Sequence, residues 1–126
     1  MIINIDKPIE WSSFDVVKKI KRITKHKKVG HGGTLDPFAS GVLIIGTESD
    51  TKKLTKITIS DKTYEVQLEL GKTTSTLDPE GKIVNAKKKP ELDSDKIKSV
   101  LSKFLGKQKQ KPPMYSAKKH KGVRLY

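Results

Sequence analysis

The sequence predicts an α+β fold. Three observations carry that reading: two stretches with apolar residues at helical spacing, several short runs with strand patterning, and a glycine-rich loop among them. The helical sets are Val16, Ile20 and Ile23, then Ile97, Val100, Leu101, Phe104 and Leu105. The clearest strand set is Tyr64, Val66, Leu68 and Leu70, alternating with Glu65, Gln67 and Glu69. With 126 residues, of which 33% are hydrophobic, the chain can build one small domain with a thin core.

Ile2, Ile3 and Ile5 form a short strand that Lys7-Pro8 stops, because proline cannot donate to a ladder. Ser12 and Asp15 make a capping box, which starts a helix predicted from Ser13 to Lys25. The lysines of this helix read as a solvated face. Lys25-His26-Lys27-Lys28 is a basic cluster suited to holding a phosphate near the segment that follows. That segment, Gly30 to Gly41, reads as a loop, with four glycines and one proline in twelve residues and a single carboxylate, Asp36. Its glycines permit positive φ and close approach to a ligand. Pro37 fixes φ directly after Asp36 and biases Asp36 away from the α region. Val42 to Ile45 reads as a short buried strand, and Glu48 to Thr58 as a short helix or an irregular link.

Lys62 to Leu70 is predicted as a half-buried strand ended by Gly71. Lys72 to Gly81 is a polar loop with turn chemistry at Asp78-Pro79-Glu80-Gly81, and Ile83-Val84 a short strand. Lys87-Lys88-Lys89-Pro90 is a flexible basic connector. Asp93 or Ser94 caps a second helix whose apolar stripe is predicted to face a core, with Gly106 as its stop. From Lys107 to Tyr126 there are seven cations and no acid, with Pro112-Pro113-Met114-Tyr115-Ser116 set among them. That mixture fits a nucleic-acid groove or a disordered basic tail. The sequence ends at Leu125-Tyr126 without a cap or turn, which reads as an interruption within an element.

Lys and Arg number 27 against 14 Asp and Glu, a formal net charge of +13. A surplus of this size points to a polyanion, with nucleic acid first. The only arginines are Arg22 and Arg124, so the basic surface is lysine and favours backbone attraction over base reading. The absence of cysteine excludes disulfides and thiolate chemistry. No apolar run approaches the roughly 20 residues of a membrane span, and the first residues lack the features of a secretory signal. The expectation is a cytosolic protein. His26, His31 and His120 have no metal-ligand spacing.

Gly30-His31-Gly32-Gly33-Thr34-Leu35-Asp36-Pro37-Phe38-Ala39-Ser40-Gly41 resembles the catalytic-aspartate motif of the pseudouridine synthases that act on uridine 55 of tRNA, the bacterial TruB-type family. Three more blocks resemble that family in order. They are Lys7-Pro8 with Trp11 to Val17; Lys62-Thr63-Tyr64 with Leu70-Gly71, Thr74, Thr76, Asp78 and Gly81; and Pro112 to Lys118 with Gly122 and Leu125-Tyr126. The resemblance implies a mixed, mostly antiparallel sheet with flanking helices. It implies Asp36 as the essential catalytic aspartate, His31 against the RNA where the target base has left its stack, and Tyr64 stacked on the flipped uracil. Lys7, Lys62, Asp78 and Tyr115 are implied contributors to substrate binding, Lys7 in a supporting role. The implied partner is the T-stem-loop of tRNA, bound by a monomer without cofactor or metal.

The sequence departs from the family's pattern at Glu10 and Glu48, where glycine is usual, and at Gly32, where threonine or serine is frequent. It is also shorter than such enzymes. The expectation is therefore the N-terminal part of one catalytic domain, without the family's separate C-terminal RNA-binding domain and without the arginine that pairs with the aspartate. Chemically, isomerising uridine needs one ionised carboxylate, as nucleophile or as proton acceptor from the sugar. A carboxylate in a dry pocket tends to hold its proton, so such a site calls for a neighbouring cation. Two other classes compete: an RNA-binding fragment without turnover, and a hydrolase using His31-Gly32-Gly33 as an oxyanion loop. The hydrolase lacks any G-x-S-x-G nucleophile.

Overall fold

The computed structural model describes residues 1–110 and the backbone of residues 119–120 and 123–124. These fall into two units, Met1–Glu65 and Val66–Tyr126. All strand pairs among the described residues are antiparallel, in keeping with an α+β fold.

In the first unit, strand β1 (Ile2–Lys7) leads into helix α1 (Ser13–Thr24), followed by β2 (Val29–His31) and β3 (Gly41–Thr47). The sheet order is β1-β3-β2, with Ile2 opposite Gly46, Lys7 opposite Gly41, and His31 opposite Ile45. Period-two alternation sends Leu43, Ile45 and Thr47 to the buried face of β3. Val16 and Val17 of α1 pack on Leu43 and Ile45, with Ile5, Ile20, Val29 and Leu35 around them. The predicted capping box is present: Ser12 accepts from the Asp15 amide, and the Asp15 carboxylate accepts from the Ser12 amide. Lys25 closes α1 in the left-handed region, its amide donating to the Lys21 carbonyl.

Two expectations change here. The glycine stretch opens as a strand, because Gly30 and His31 pair with Gly46 and Ile45 as part of β2. Two of its glycines also approach the protein itself. A Cβ on Gly32 would sit 3.1 Å from Ile57, and one on Gly30 would sit 3.4 Å from Leu54. Those side chains belong to α2 (Leu54–Thr58), which follows a 3₁₀ helix (Glu48–Lys53); of the short helix or irregular link expected over Glu48 to Thr58, the helix is what forms. Glu48, at φ +49, turns the chain there. Its carboxylate accepts from the Lys27 amide at 2.7 Å and the Lys28 amide at 3.2 Å, so one glutamate fixes two turns.

The second unit holds the hairpin of β4 (Lys72–Thr74) and β5 (Ile83–Ala86), then helix α3 (Ser94–Ser102). Asp93 caps α3, accepting from the Lys96 amide at 2.7 Å. Strands β6 (Lys119–His120) and β7 (Val123–Arg124) form a two-residue pair. The predicted strand over Lys62–Leu70 is not formed: none of these residues is paired, and Leu68 is 77% exposed. Alternation supplies a face, but a strand also needs a neighbour for its amides, and no described strand pairs there. The α3 stripe differs likewise. Ile97, Val100, Leu101, Phe104 and Leu105 are exposed, because nothing described covers them. Helix α3 ends at Ser102, and Gly106 at φ +78 lies past a further turn.

Three carboxyls are held below their ordinary pKa by bonds made only on folding. Asp15 is lowered chiefly by the Ser12 hydroxyl, Glu48 by the Lys28 amide, and Asp50 by the Lys53 ammonium. A carboxyl with a depressed folded pKa stabilises the fold above its unfolded pKa, and that contribution is lost as pH falls through the folded value. The melting temperature is expected to drop as pH is lowered from about 4 downward. Ser12→Ala should lower stability at neutral pH by about 1 kcal/mol. It should also flatten part of the acid dependence; thermal melts across pH, followed by circular dichroism, check both.

Candidate active-site loop

Lys7 occupies the core-facing side of β1, in phase with Ile3 and Ile5, and is 0% exposed. A buried ammonium needs an acceptor for each of its three protons. Nζ donates to the carbonyls of Trp11 at 2.6 Å, Pro8 at 2.9 Å and Pro37 at 3.4 Å. The Glu10 amide donates to the same Pro37 carbonyl at 2.8 Å. The residue after Asp36 is thereby tied to the β1–α1 turn.

The residue before Asp36 is tied as firmly. Ser13 is buried at the start of α1, where its hydroxyl donates to the Leu35 carbonyl at 3.1 Å and accepts from the Leu35 amide at 2.9 Å. Leu35 packs against the core. Asp36, the next residue, is exposed. Its carbonyl accepts from the Ala39 amide at 3.1 Å, which closes the turn over Pro37 and Phe38. Gly33 at φ +150 and Gly41 at φ +126 let the chain leave β2 and enter β3 in conformations that L side chains rarely adopt. Among the described residues no donor or cation bonds the Asp36 carboxylate. The loop presents this one carboxyl group on a fixed backbone.

His31 ends β2, half-buried, and its Nδ1–H donates to the Gly33 carbonyl. A carbonyl only accepts, so this bond places a proton on Nδ1. Lys62 folds back over α2, donating to the carbonyls of Ser60 at 2.7 Å, Thr58 at 2.9 Å and Ile57 at 3.2 Å. It serves there as a helix C-terminal cap. Tyr64 is 67% exposed in the unpaired segment. No hydrogen bond among the described residues joins Lys62 or Tyr64 to the Asp36 loop.

Asp78 organises its own turn in the second unit, accepting from Thr76 Oγ1 at 2.6 Å and the Glu80 amide at 2.9 Å. Tyr115 lies outside the described residues. Among the described residues no three His, Asp or Glu side chains stand together to hold a metal ion. Sequence reasoning missed Ser13 as the holder of Leu35. The available signal was the doublet Ser12-Ser13, since a helix start needs only one capping hydroxyl.

With this geometry in view, similarity to known proteins is informative. A protein from Dehalococcoides mccartyi named tRNA pseudouridine synthase B is 46% identical over 99% of this chain and 42% of its own length. One of the same name from Lactococcus lactis subsp. cremoris (strain SK11) is 48% identical over 99% of this chain and 38% of its own. A chain of a solved Cbf5–Nop10–Gar1 complex superposes with a TM-score of 0.63 at 33% identity, over 94% of this chain and 30% of that one. The clamped aspartate loop on its antiparallel sheet thus sits in a chain of the pseudouridine synthase class. Residues 21–126 match the family described as TruB family pseudouridylate synthase (N terminal domain). The chain belongs to the TruB family. It spans about half the length of the curated relatives it matches, between 38% and 55%.

The two positions where the sequence departs from the family's glycine are both left-handed, Glu10 at φ +67 and Glu48 at φ +49. Glycine adopts that region without the strain of roughly 1–2 kcal/mol that a side chain incurs. Glu10→Gly is expected to raise stability by about 1 kcal/mol, since the bond from residue 10 to Pro37 uses only the backbone. Lys7→Met should lower stability by about 3 kcal/mol, because the carbonyls of Pro8, Trp11 and Pro37 lose their shared donor. It should also accelerate amide exchange at Glu10 and Leu35. Urea denaturation and hydrogen exchange read the two effects.

Proposed function

We propose that this chain supplies the catalytic aspartate of a synthase that converts uridine 55 in the T-loop of tRNA to pseudouridine. The observation that carries the reading is Asp36: an exposed carboxylate, unpaired among the described residues, whose neighbours on both sides are fixed by Ser13 and by Lys7 and Glu10. Kinship with proteins named tRNA pseudouridine synthase B supports RNA as the substrate class.

In this reading the target uridine leaves its stack, and Asp36 acts at the ribose as nucleophile or proton acceptor while the C1′–N1 bond breaks. The uracil turns, a C1′–C5 bond forms, the C5 hydrogen leaves to solvent and N1 gains a proton. The sum is an isomerisation. Flipping costs a few kcal/mol. A base stacked on an aromatic ring recovers about 1–3 kcal/mol, which is the part assigned to Tyr64. His31 fills the gap the base leaves. Lys7 acts through the backbone as a positioning residue, and Lys62, Asp78 and Tyr115 are assigned to the RNA by resemblance alone.

A second reading follows from length. Because the chain spans about half of its relatives, residues 1–126 by themselves are proposed to bind RNA with little or no turnover. The test uses tRNA tritiated at uridine C5. A chimera joining residues 1–126 to the rest of the Lactococcus lactis relative should release tritium, and Asp36→Asn should reduce release by roughly a thousandfold or more. Retained release by the Asn variant sinks the assignment of Asp36. Brisk release by residues 1–126 alone sinks the second reading.

A further inference from the structure

Helix α1 has two grooves along its length, and their charges differ. One, about 440 Å³, is lined by Trp11, Lys18, Lys19 and Arg22, and also by the acids Glu10 and Asp15. The other, about 480 Å³, lies between α1 and β2. Its lining includes Phe14, Lys18, Lys21, Lys27, Lys28 and the backbone of Gly30, and no acid. Phe14, Lys18 and Lys21 are spaced i, i+4 and i+7, so they form one stripe down the helix. Phe14 is 60% exposed, with the Lys18 ammonium 4.8 Å from its ring centre. Among the described residues, Lys21, Lys27 and Lys28 have no ion-pair partner. Glu48 bonds the Lys27 and Lys28 amides and attracts Lys28 through space, but makes no ion pair with either ammonium among the described residues.

Crowded like charges repel, and the face of Phe14 away from Lys18 adds nothing to folding, so the arrangement fits an outside partner that is both anionic and aromatic. We infer that this groove is a second RNA contact, in which Lys21, Lys27 and Lys28 track phosphates and Phe14 offers a stacking face to an unpaired base. The inference rests on the RNA reading of the Asp36 loop and extends it. Helix α1 begins at Ser13, which holds Leu35, so the stripe starts beside the loop and runs away along the helix. RNA engaged at Asp36 can continue onto it. A carboxylate repels phosphates at short range, so lysines set along the helix hold the strand without crowding phosphate onto Asp36.

The test is binding of a fluorescent T-stem-loop RNA to residues 1–126 across a salt series. The triple variant Lys21→Gln/Lys27→Gln/Lys28→Gln removes three side chains that make no bond within the described residues. It should lower the slope of log affinity against log salt by about 2–3. Lys87→Gln/Lys88→Gln/Lys89→Gln loses the same charge elsewhere and should leave the slope nearly unchanged. Phe14→Ala should weaken single-stranded RNA and spare duplex. Equal losses in the two triple variants, or an unchanged slope in the first, overturn the inference. So does equal, lysine-dependent binding to phosphatidylglycerol vesicles. In the tritium-releasing chimera the first triple variant should raise KM for tRNA and spare kcat, while Asp36→Asn should leave RNA affinity in place. Failure of the chimera with an intact lysine effect sinks only the reaction; normal release with no lysine effect sinks only the groove.

Discussion

A lysine buried at the end of a strand is the constraint on which the first unit depends. The Lys7 ammonium cannot stay in the interior unless each proton meets an oxygen. Its three acceptors come from Pro8, Trp11 and Pro37, so satisfying one charge fixes the β1–α1 turn and attaches the Asp36 loop to it. Ser13 does the same from the other side with two neutral hydrogen bonds. The result is a carboxylate whose backbone is held by groups that do not touch the carboxylate. Rigidity and availability, which compete when a side chain is held by its own bonds, are separated here.

The two left-handed glutamates show how a small fold tolerates local strain. Glu48 recovers part of its backbone strain, because its side chain binds two amides and faces His26 at 3.4 Å. Glu10 has no such return through its side chain and contributes only its backbone N–H to the loop. Both turns stand where the chain reverses next to the sheet.

Much of this was legible in the sequence because it rests on short-range rules. The capping box at Ser12 and Asp15, a cap at Asp93 or Ser94 that the structure settles on Asp93, and the strands of β1 and β3 follow from neighbours within a few residues. The failures share a cause. Gly30 and His31 look like loop by composition and become strand because β3 lies beside them. Tyr64 to Leu70 looks like strand and is not, because pairing depends on a partner that alternation does not supply. The α3 stripe has the right period but meets no layer among the described residues. Lys7 reads as a polar strand end, and nothing local reveals that three carbonyls converge on it. Family resemblance named Lys7 and His31; only the geometry says what their nitrogen atoms bond to.

The sheet's register sets an order of assembly. Strands β2 and β3 are close in the chain, so their hairpin closes a short loop, whereas matching Ile2 with Gly46 must bring together residues separated by most of the first unit. Loop-closure entropy makes the distant pairing the slower one. The Lys7 ammonium finds Pro37 only once that distant pairing is made. A chain halted at the hairpin stage therefore has its aspartate but not the anchor that immobilises it, so the poised loop reports completion of the sheet.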